Sequence, residues 1–196
     1  MYELKEKEML FIYTGPDGSG RKTLAKMVST AFDMETVPSF TTRAPRPFEV
    51  NGKDYHFIKE ETFLQMKQQD EFIESVNING TYYGIREIDI KNIFSKHKVV
   101  YFTVNIEGAQ LLKNLYGDRV VRFFISADRD TVIQRQKERG DDEEAIQQHM
   151  AYYDQTMAYK SKCEHAFENY DLPQVSFQIS EVVETYLERN LTVTDY

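Results

Sequence analysis

Short apolar runs of strand length alternate along the chain with stretches that carry apolar residues at helical spacing. Met9–Thr14 is such a run, and Arg21–Ala31 follows it after a turn that contains Gly15 and Pro16. Two further apolar runs of strand length are Val99–Val104 and Val120–Ile125. Helical patterns recur near Glu87–Lys96, Gly108–Leu115, Asp130–Glu138 and Glu143–Ser161. The alternation predicts an α/β fold, with a parallel sheet covered by helices on both faces.

One stretch, residues 37–85, departs from this alternation. It is rich in turn residues and in Thr, Tyr and Phe, which predicts short strands with a small helix near Glu61–Gln69. We therefore expect a single domain over 1–196, in which a small mixed-strand subdomain (37–85) is inserted. The core then consists of 1–36, 86–134 and 163–196, and a helical lid of 135–162. The charged turn at Glu138–Glu144 belongs to that lid, or is simply a solvated surface turn.

Composition narrows the classes of function. The formal net charge of −8 over 196 residues makes nucleic acid and anionic membranes unexpected partners. The single cysteine, Cys163, excludes a disulfide framework and a cysteine-rich zinc site, and we expect it to be an ordinary helix residue. The charged start of the chain is unlike a secretory signal, and no run of about 18 apolar residues is present. We therefore expect a cytoplasmic protein.

The turn after the first strand has the spacing of a phosphate-binding loop. The residues Gly15, Asp17, Gly18, Ser19, Gly20 and Thr23 belong to the string GPDGSGRKT, which lies between a predicted strand and a predicted helix. Glycines let backbone N–H groups turn inward, and the start of the helix adds the positive end of its dipole. The context therefore favours a phosphate site over a glycine-rich turn without a ligand.

This loop departs from the usual motif at two positions. Arg21 stands where the motif has Lys, so the positive charge is kept on a longer and planar group. Lys22 stands where the motif has the Ser or Thr that binds magnesium, although Lys22 itself could supply the missing cation. Thr23 offers a hydroxyl one position late, and we retain it as a weak candidate for the magnesium ligand.

A second anion site is indicated within the inserted stretch. Arg43 and Arg46 lie three residues apart around Pro45, an arrangement that suits a phosphate held by forked donors. Tyr55 and Tyr83 offer hydroxyls for the same phosphate. Glu74 offers a carboxylate that matches two adjacent N–H donors, such as those of guanine.

These segments resemble the guanylate kinase family from about residue 9 to about residue 186. The resemblance rests on SFTTRAPR and EVNGKDYHF, which match the signature TTR-x-PR…E-x-x-G-x-DY-x-F. It implies a core with a phosphate loop, a GMP-binding subdomain and a lid, and transfer of a phosphate from ATP to GMP with magnesium. By motif it assigns the GMP phosphate to Ser39, Arg43, Arg46, Tyr55 and Tyr83, and the guanine to Glu74. It places Arg135 and Arg139 beside the triphosphate and Asn169 near the adenine.

The sequence departs from the family pattern at further positions. Ile85 stands where the family has a Ser or Thr that contacts GMP. In the family string D-x-D-x-Q-G, the two carboxylates are replaced by Thr103 and Asn105. His149 aligns with a family Arg that reaches both phosphates. We therefore expect weaker handling of magnesium and of guanine, with the changes concentrated on the ATP side.

Two classes of function remain open. The first is a guanylate kinase that converts ATP and GMP to ADP and GDP, with Arg21, Lys22, Arg139 and His149 as the catalytic candidates and with reduced activity. The second is a catalytically weak or inactive module that binds GMP or phosphate and acts through that ligand or through a protein partner. The positive charge that the protein places around the transferring phosphoryl group decides between these two classes, since phosphoryl transfer depends mainly on positioning and electrostatics.

Overall fold

The computed structural model describes the backbone of residues 2–78 and 80–191 and the side chains of these ranges up to residue 187. Met1 and 192–196, in the predicted core, and Asn79, in the predicted subdomain, lie outside the described residues. The strands are β1 (Met9–Thr14), β2 (Phe40–Thr41), β3 (His56–Phe57), β4 (Phe72–Ile78), β5 (Thr81–Arg86), β6 (Val99–Thr103), β7 (Val120–Ser126) and β8 (His165–Glu168). The helices are α1 (Arg21–Ala31), α2 (Glu60–Gln68), α3 (Glu87–Phe94), α4 (Ile106–Tyr116), α5 (Arg129–Arg139), α6 (Glu143–Ala151), α7 (Tyr153–Ala158) and α8 (Leu172–Leu191).

The strands form two sheets of different character. In the main sheet, the order is β6-β1-β7-β8 and every pairing is parallel. In the second sheet, the order is β3-β2-β5-β4; β2 pairs parallel with β3 and antiparallel with β5, and β4 pairs antiparallel with β5. The predicted α/β fold with an inserted mixed-strand unit is confirmed. The boundaries 37–85 and 135–162 stay predictions.

Helices cover both faces of the main sheet. Along β1, Leu10 and Ile12 pack into a core cluster with residues of α3 and α4. Phe11 and Tyr13, which point to the opposite face, pack with residues of α1 and α8. Each such fully buried apolar side chain stabilises the fold by about 1.5–3 kcal/mol. This central strand therefore fixes the position of the loop that follows it.

Most predicted elements are found, and two expectations are wrong. The single helical pattern over Glu143–Ser161 is broken at Tyr152 into α6 and α7, and a 3₁₀ turn follows over Tyr159–Lys162. The neighbouring Tyr153 is buried and donates a hydrogen bond to the Ala127 carbonyl over 2.9 Å, a tertiary contact that overrides the local pattern. Cys163 lies in a bend, not in a helix, and burial raises the pKa of its thiol to about 12.

Two described elements, β8 and α8, lie beyond those that the pattern predicted. β8 completes the main sheet beside β7, and α8 packs against α1. In the part of the chain that the structure describes, none of the helices has the length and apolar character that crossing a bilayer requires.

Candidate functional site at the phosphate loop and the inserted sheet

The loop between β1 and α1 presents backbone N–H groups at the start of a helix. α1 begins after Gly20, which has a φ of 91°, and among the described residues no side chain caps this start. The N–H groups of a first helical turn lack intrahelical partners, so they remain available to phosphate oxygens. A Cβ at Gly20 would lie 2.3 Å from Nδ2 of Asn169, which makes glycine necessary at this position.

Asn169 fixes the backbone of the phosphate loop through its side chain. Its side chain is 1% exposed and donates from Nδ2 to the Ser19 carbonyl over 2.7 Å. Its own carbonyl accepts a hydrogen bond from Arg135 over 2.8 Å. Asn169 was predicted to lie near the adenine, and this stays a prediction. In the structure its side chain is bonded to the backbone of the phosphate loop, and its Oδ1 has no hydrogen-bonding partner among the described residues.

A cavity of about 990 Å³ lies between the phosphate loop, the second sheet and the helices α5–α7. Every predicted site residue lines it except Ser19 and Asn169. The predicted loop, clamp, base and lid positions, which are spread over 15–149 of the chain, are therefore brought to one space.

The residues predicted to clamp the GMP phosphate line one cavity, and a carboxylate lies among them. Arg43 donates through both of its terminal nitrogens to Glu49, over 2.7 and 2.9 Å. The backbone N–H of Arg46 donates to the same carboxylate over 2.8 Å. Burial opposes ionisation of Glu49, but these hydrogen bonds outweigh it and lower the pKa of Glu49. The rings of Tyr55 and Tyr83 lie beside this clamp with their centroids 6.2 Å apart.

Lys22 is directed toward the clamp rather than into the phosphate loop. Its ammonium lies 4.1 Å from the centre of the Tyr55 ring, 3.7 Å from Glu49 and 3.8 Å from Asp54. Burial lowers the pKa of Lys22, although the two carboxylates act in the opposite direction. Lys22, which stands where the phosphate-loop motif has Ser or Thr, thus places its ammonium at the predicted monophosphate site.

A second carboxylate, that of Asp17, occupies the phosphate loop and is surrounded by cations. Arg139 donates to it over 2.5 Å, and further nitrogens lie 3.4 to 3.6 Å away, on Arg21, Arg46 and His149. Burial alone would raise the pKa of Asp17, but the guanidinium groups of Arg139, Arg21 and Arg46, together with His149 when it is protonated, lower it well below its ordinary value. Asp141, from the charged turn, pairs with Arg46 over 3.2 Å and with Arg139.

His149, which aligns with a family Arg, lies in this cluster. Its Nδ1 is 2.6 Å from Oε1 of Gln136. Burial lowers the pKa of His149, and Asp17 and Asp141 counteract this only in part. A lowered pKa favours the neutral imidazole at pH 7, so His149 does not replace the charge of the family Arg.

Glu74 reaches the far end of the cavity from a strand with an irregular register. β4 bulges between Phe72 and Glu74, so that Glu74 stands opposite Ile85 of β5. Bulges of this kind re-aim a side chain toward a site. Glu74 is 4% exposed, and burial together with the nearby Glu107 raises its pKa to about 8.

The positions that the family uses for magnesium do not offer magnesium ligands here. Lys22 carries an ammonium, and Oδ1 of Asn105 accepts from the Gly108 N–H over 2.8 Å, where it caps α4. Thr23 is exposed on α1. Asp17, Asp141 and His149 do present ligand atoms within 4.8 Å of one another, but Arg46 and Arg139 already hold the two carboxylates. This donor set does not fit the oxygen-rich coordination that magnesium requires.

Five further carboxylates line the cavity and were not predicted as site residues: Glu49, Asp54, Glu107, Asp141 and Asp142. Glu49 belongs to the signature EVNGKDYHF, and Asp141 to the charged turn, so both stood inside segments already singled out. Glu107 stands at the Gln of the family string D-x-D-x-Q-G, and comparison at that one position would have revealed it.

A parallel sheet with a phosphate loop at the end of its central strand, joined to a mixed sheet that carries an arginine clamp, defines a nucleotide-binding α/β protein of the phosphate-loop class. The model of the family described as guanylate kinase matches residues 7–186. The chain belongs to the guanylate kinase family.

Individual relatives agree with this assignment. The chain is 34% identical over 174 residues to the guanylate kinase of Chlamydia felis, covering 87% of this chain and 84% of that one. It is 28% identical over 176 residues to that of Fusobacterium nucleatum, covering 89% and 95%. The crystal structure of guanylate kinase from Anaplasma phagocytophilum superposes with a TM-score of 0.73 at 21% identity, over 94% of this chain and 88% of that one, and supports the fold.

Proposed function

We propose that this protein transfers a phosphoryl group from ATP to GMP, giving ADP and GDP, and that it does so slowly. The observation that carries the proposal is that one cavity joins the phosphate loop to the clamp of Arg43, Arg46, Tyr55 and Tyr83. Two phosphate sites in one enclosed space are what in-line transfer between two nucleotides requires.

At the clamp, the phosphate of GMP takes the place that the Glu49 carboxylate holds. Arg43 then offers its forked donors to phosphate oxygens, an interaction that is among the stronger hydrogen bonds in proteins. The hydroxyls of Tyr55, Tyr83 and Ser39 line the same space. The acceptor in the transfer is an oxygen of this phosphate, so no general base is needed.

At the phosphate loop, the triphosphate of ATP binds the backbone N–H groups at the start of α1. Arg139 and Arg135 approach from α5, and Arg21 from α1. The terminal phosphate must compete with the Asp17 carboxylate for Arg139 and Arg46. A like charge inside the anion site weakens binding and leaves less positive charge for the transition state, which supports a low rate.

Magnesium accompanies ATP in the family. Because Lys22, Asn105 and Thr23 do not provide its ligands in the expected manner, no step of the transfer is assigned to the metal. A neutral His149 in place of an arginine also supports a low rate of transfer, since removing one such charge can lower the rate by about 10³–10⁵-fold.

The alternative is a binding module with little or no turnover. It is favoured by the fact that both anion sites hold internal carboxylates, Glu49 and Asp17, which partner the cations without nucleotide. GMP-dependent release of ADP, followed by a coupled assay, distinguishes the two. The enzyme releases one ADP for each GDP formed, whereas the module binds GMP in calorimetry and releases none.

A further inference from the structure

Glu74 is a buried carboxyl group without a hydrogen-bonding partner. It is 4% exposed, and among the described residues nothing donates a hydrogen bond to it or pairs with it. Burying an ionised carboxylate in this manner is strongly unfavourable. The group is therefore either neutral or completed by a ligand that lies in the cavity.

A second carboxyl group lies at the same end of the cavity. Glu107 also lines it, and Oε2 of Glu107 is buried without a partner. The Glu74 carboxyl group lies close to the first turn of α4, to which Glu107 belongs: a Cβ at Gly108, the residue after Glu107, would lie 3.0 Å from Oε1 of Glu74. Two carboxyl groups that share a site resist being ionised together.

Among the described residues, the elements packed against β4 supply no buried, unpaired cation that could offset the charge of a carboxylate at Glu74. The elements packed against β4 are β5, α4 and α2. Arg86 of β5 pairs with Asp89 and Glu71, and Lys113 of α4 pairs with Glu164. The charged groups of α2 lie at exposed positions, at Glu60, Glu61 and Lys67. Within the described chain, Glu107 is the charged group with a resolved effect on Glu74.

We propose that Glu74 carries a proton in the free protein, at the end of the cavity that Glu107 also lines, and that binding of the guanine base of GMP expels this proton. The proposal rests on the proposed function, because it takes the base site as the place where GMP binds. Glu107 thereby becomes a residue of the base site that sets how binding responds to pH.

The proton balance follows from the chemistry of the base. Guanine presents N1–H and the N2 amino group as adjacent donors, and these require acceptors. In the free protein one carboxyl O–H occupies one of the acceptor positions. When the base binds, this O–H bond breaks, the proton passes to the buffer, and the carboxylate oxygens accept the guanine N–H groups. A site with a single, solvated carboxylate releases no proton at this step.

Calorimetric titration of GMP at pH 7.0, in buffers that differ in ionisation enthalpy, measures the proton count directly. The full-length wild-type protein is expected to release about one proton per GMP, since a group with a pKa of about 8 is mostly protonated at this pH. The GMP phosphate, with a pKa of about 6, contributes a small release that is the same for every variant.

Glu107→Gln is the decisive variant, because it removes one charge of the pair and keeps the shape. It should lower the proton count at pH 7.0, whereas Glu71→Gln, just before β4 and outside the cavity, should leave it unchanged. Binding of GMP by the wild type without proton release, or equal counts in wild type and Glu107→Gln, contradicts the proposal. Absence of any binding heat contradicts the proposed function itself, and the proton release with it.

If Glu107→Gln does not fold, the infrared difference spectrum of the wild-type protein serves instead. Addition of GMP at pH 7.0 should remove the band of a protonated carboxyl group. A spectrum in which that band is absent before GMP is added contradicts the proposal.

Discussion

The Asp17 carboxylate lies 3.5 Å from a terminal nitrogen of Arg46, so an ion pair joins the phosphate loop to the monophosphate clamp. The two groups lie in loops that follow strands of different sheets, β1 and β2, and in sites predicted for different nucleotides. Arg139 and Asp141 extend the pair into a network that links the loop, the clamp and the helical segment. Nucleotide binding must reorganise this network, because phosphate and these carboxylates compete for the same guanidinium groups.

Asp17→Asn should tighten ATP binding by about tenfold, equivalent to about 1.4 kcal/mol. It removes the like charge from the anion site and frees Arg139 and Arg46 for phosphate. The same change should lower the melting temperature of the free protein, because the three guanidinium groups lose their carboxylate. Calorimetry with ATP and thermal unfolding check both. Asp118→Asn, at an exposed position, is the control, and unchanged ATP affinity in Asp17→Asn would show that the carboxylate does not compete with phosphate.

Arg43→Ala should weaken GMP binding by about 10–100-fold, since a charge-assisted hydrogen bond contributes about 1.5–3 kcal/mol. Arg43→Lys should recover only part of this, because an ammonium lacks the forked geometry. Titration calorimetry with GMP measures both. Arg129→Ala, which does not line the cavity, should bind as the wild type does. If Arg43→Ala bound GMP with the affinity of the wild type, the clamp would not be part of the GMP site.

Gly20→Ala should destabilise the fold more than Gly80→Ala. Both glycines have left-handed backbones, with φ of 91° and 83°, so each substitution costs about 1–2 kcal/mol in strain. At Gly20 the new Cβ also overlaps the Asn169 amide, whereas Gly80 has open space around it. Denaturant unfolding compares the two, and ATP binding should be lost only in Gly20→Ala. Equal destabilisation would mean that Asn169 moves freely.

Stability should fall between pH 7 and 8, and Glu74→Gln should flatten this slope. The pKa of Glu74 is raised to about 8 in the folded protein, so the native state holds a proton that the unfolded state has released above about pH 4.5. The native state therefore binds more protons in this window, and the free energy of unfolding decreases as pH rises. Denaturant unfolding at pH 7.0 and 8.0 tests the difference between wild type and variant. If the pH dependence of the free energy of unfolding were the same in Glu74→Gln as in the wild type, another group would be responsible for it.

Strands and helices that depend on a local pattern could be predicted from the sequence. Ion pairs between carboxylates and cations that lie far apart in the chain could not. Met9–Thr14 and Arg21–Ala31 were predicted with the bounds that the structure has, because an apolar run and a helical period are local signals. The positions of Lys22 and Asn169 could not be predicted, since each is set by tertiary contacts, to Tyr55 in one case and to Ser19 in the other. The role of Asp17 was missed because all of its partners except Arg21 lie 29 to 132 residues away in the chain.

Restoring the family residues together should raise the rate of GMP phosphorylation by orders of magnitude. The set is Arg21→Lys, Thr103→Asp, Asn105→Asp and His149→Arg. Single reversions should do little, because residues that act as one unit are strongly non-additive. ADP release at saturating ATP and GMP measures each variant. A combined variant with the wild-type rate would show that the low activity has another cause.

The wild-type turnover number tests the central claim most directly. ADP release at saturating ATP, GMP and magnesium, measured in a coupled assay with GDP quantified alongside, should give a GMP-dependent rate well below about 1 per second. The Asp17 carboxylate and the neutral His149 are the reasons for that expectation. A rate in the ordinary kinase range of about 1–100 per second would contradict it.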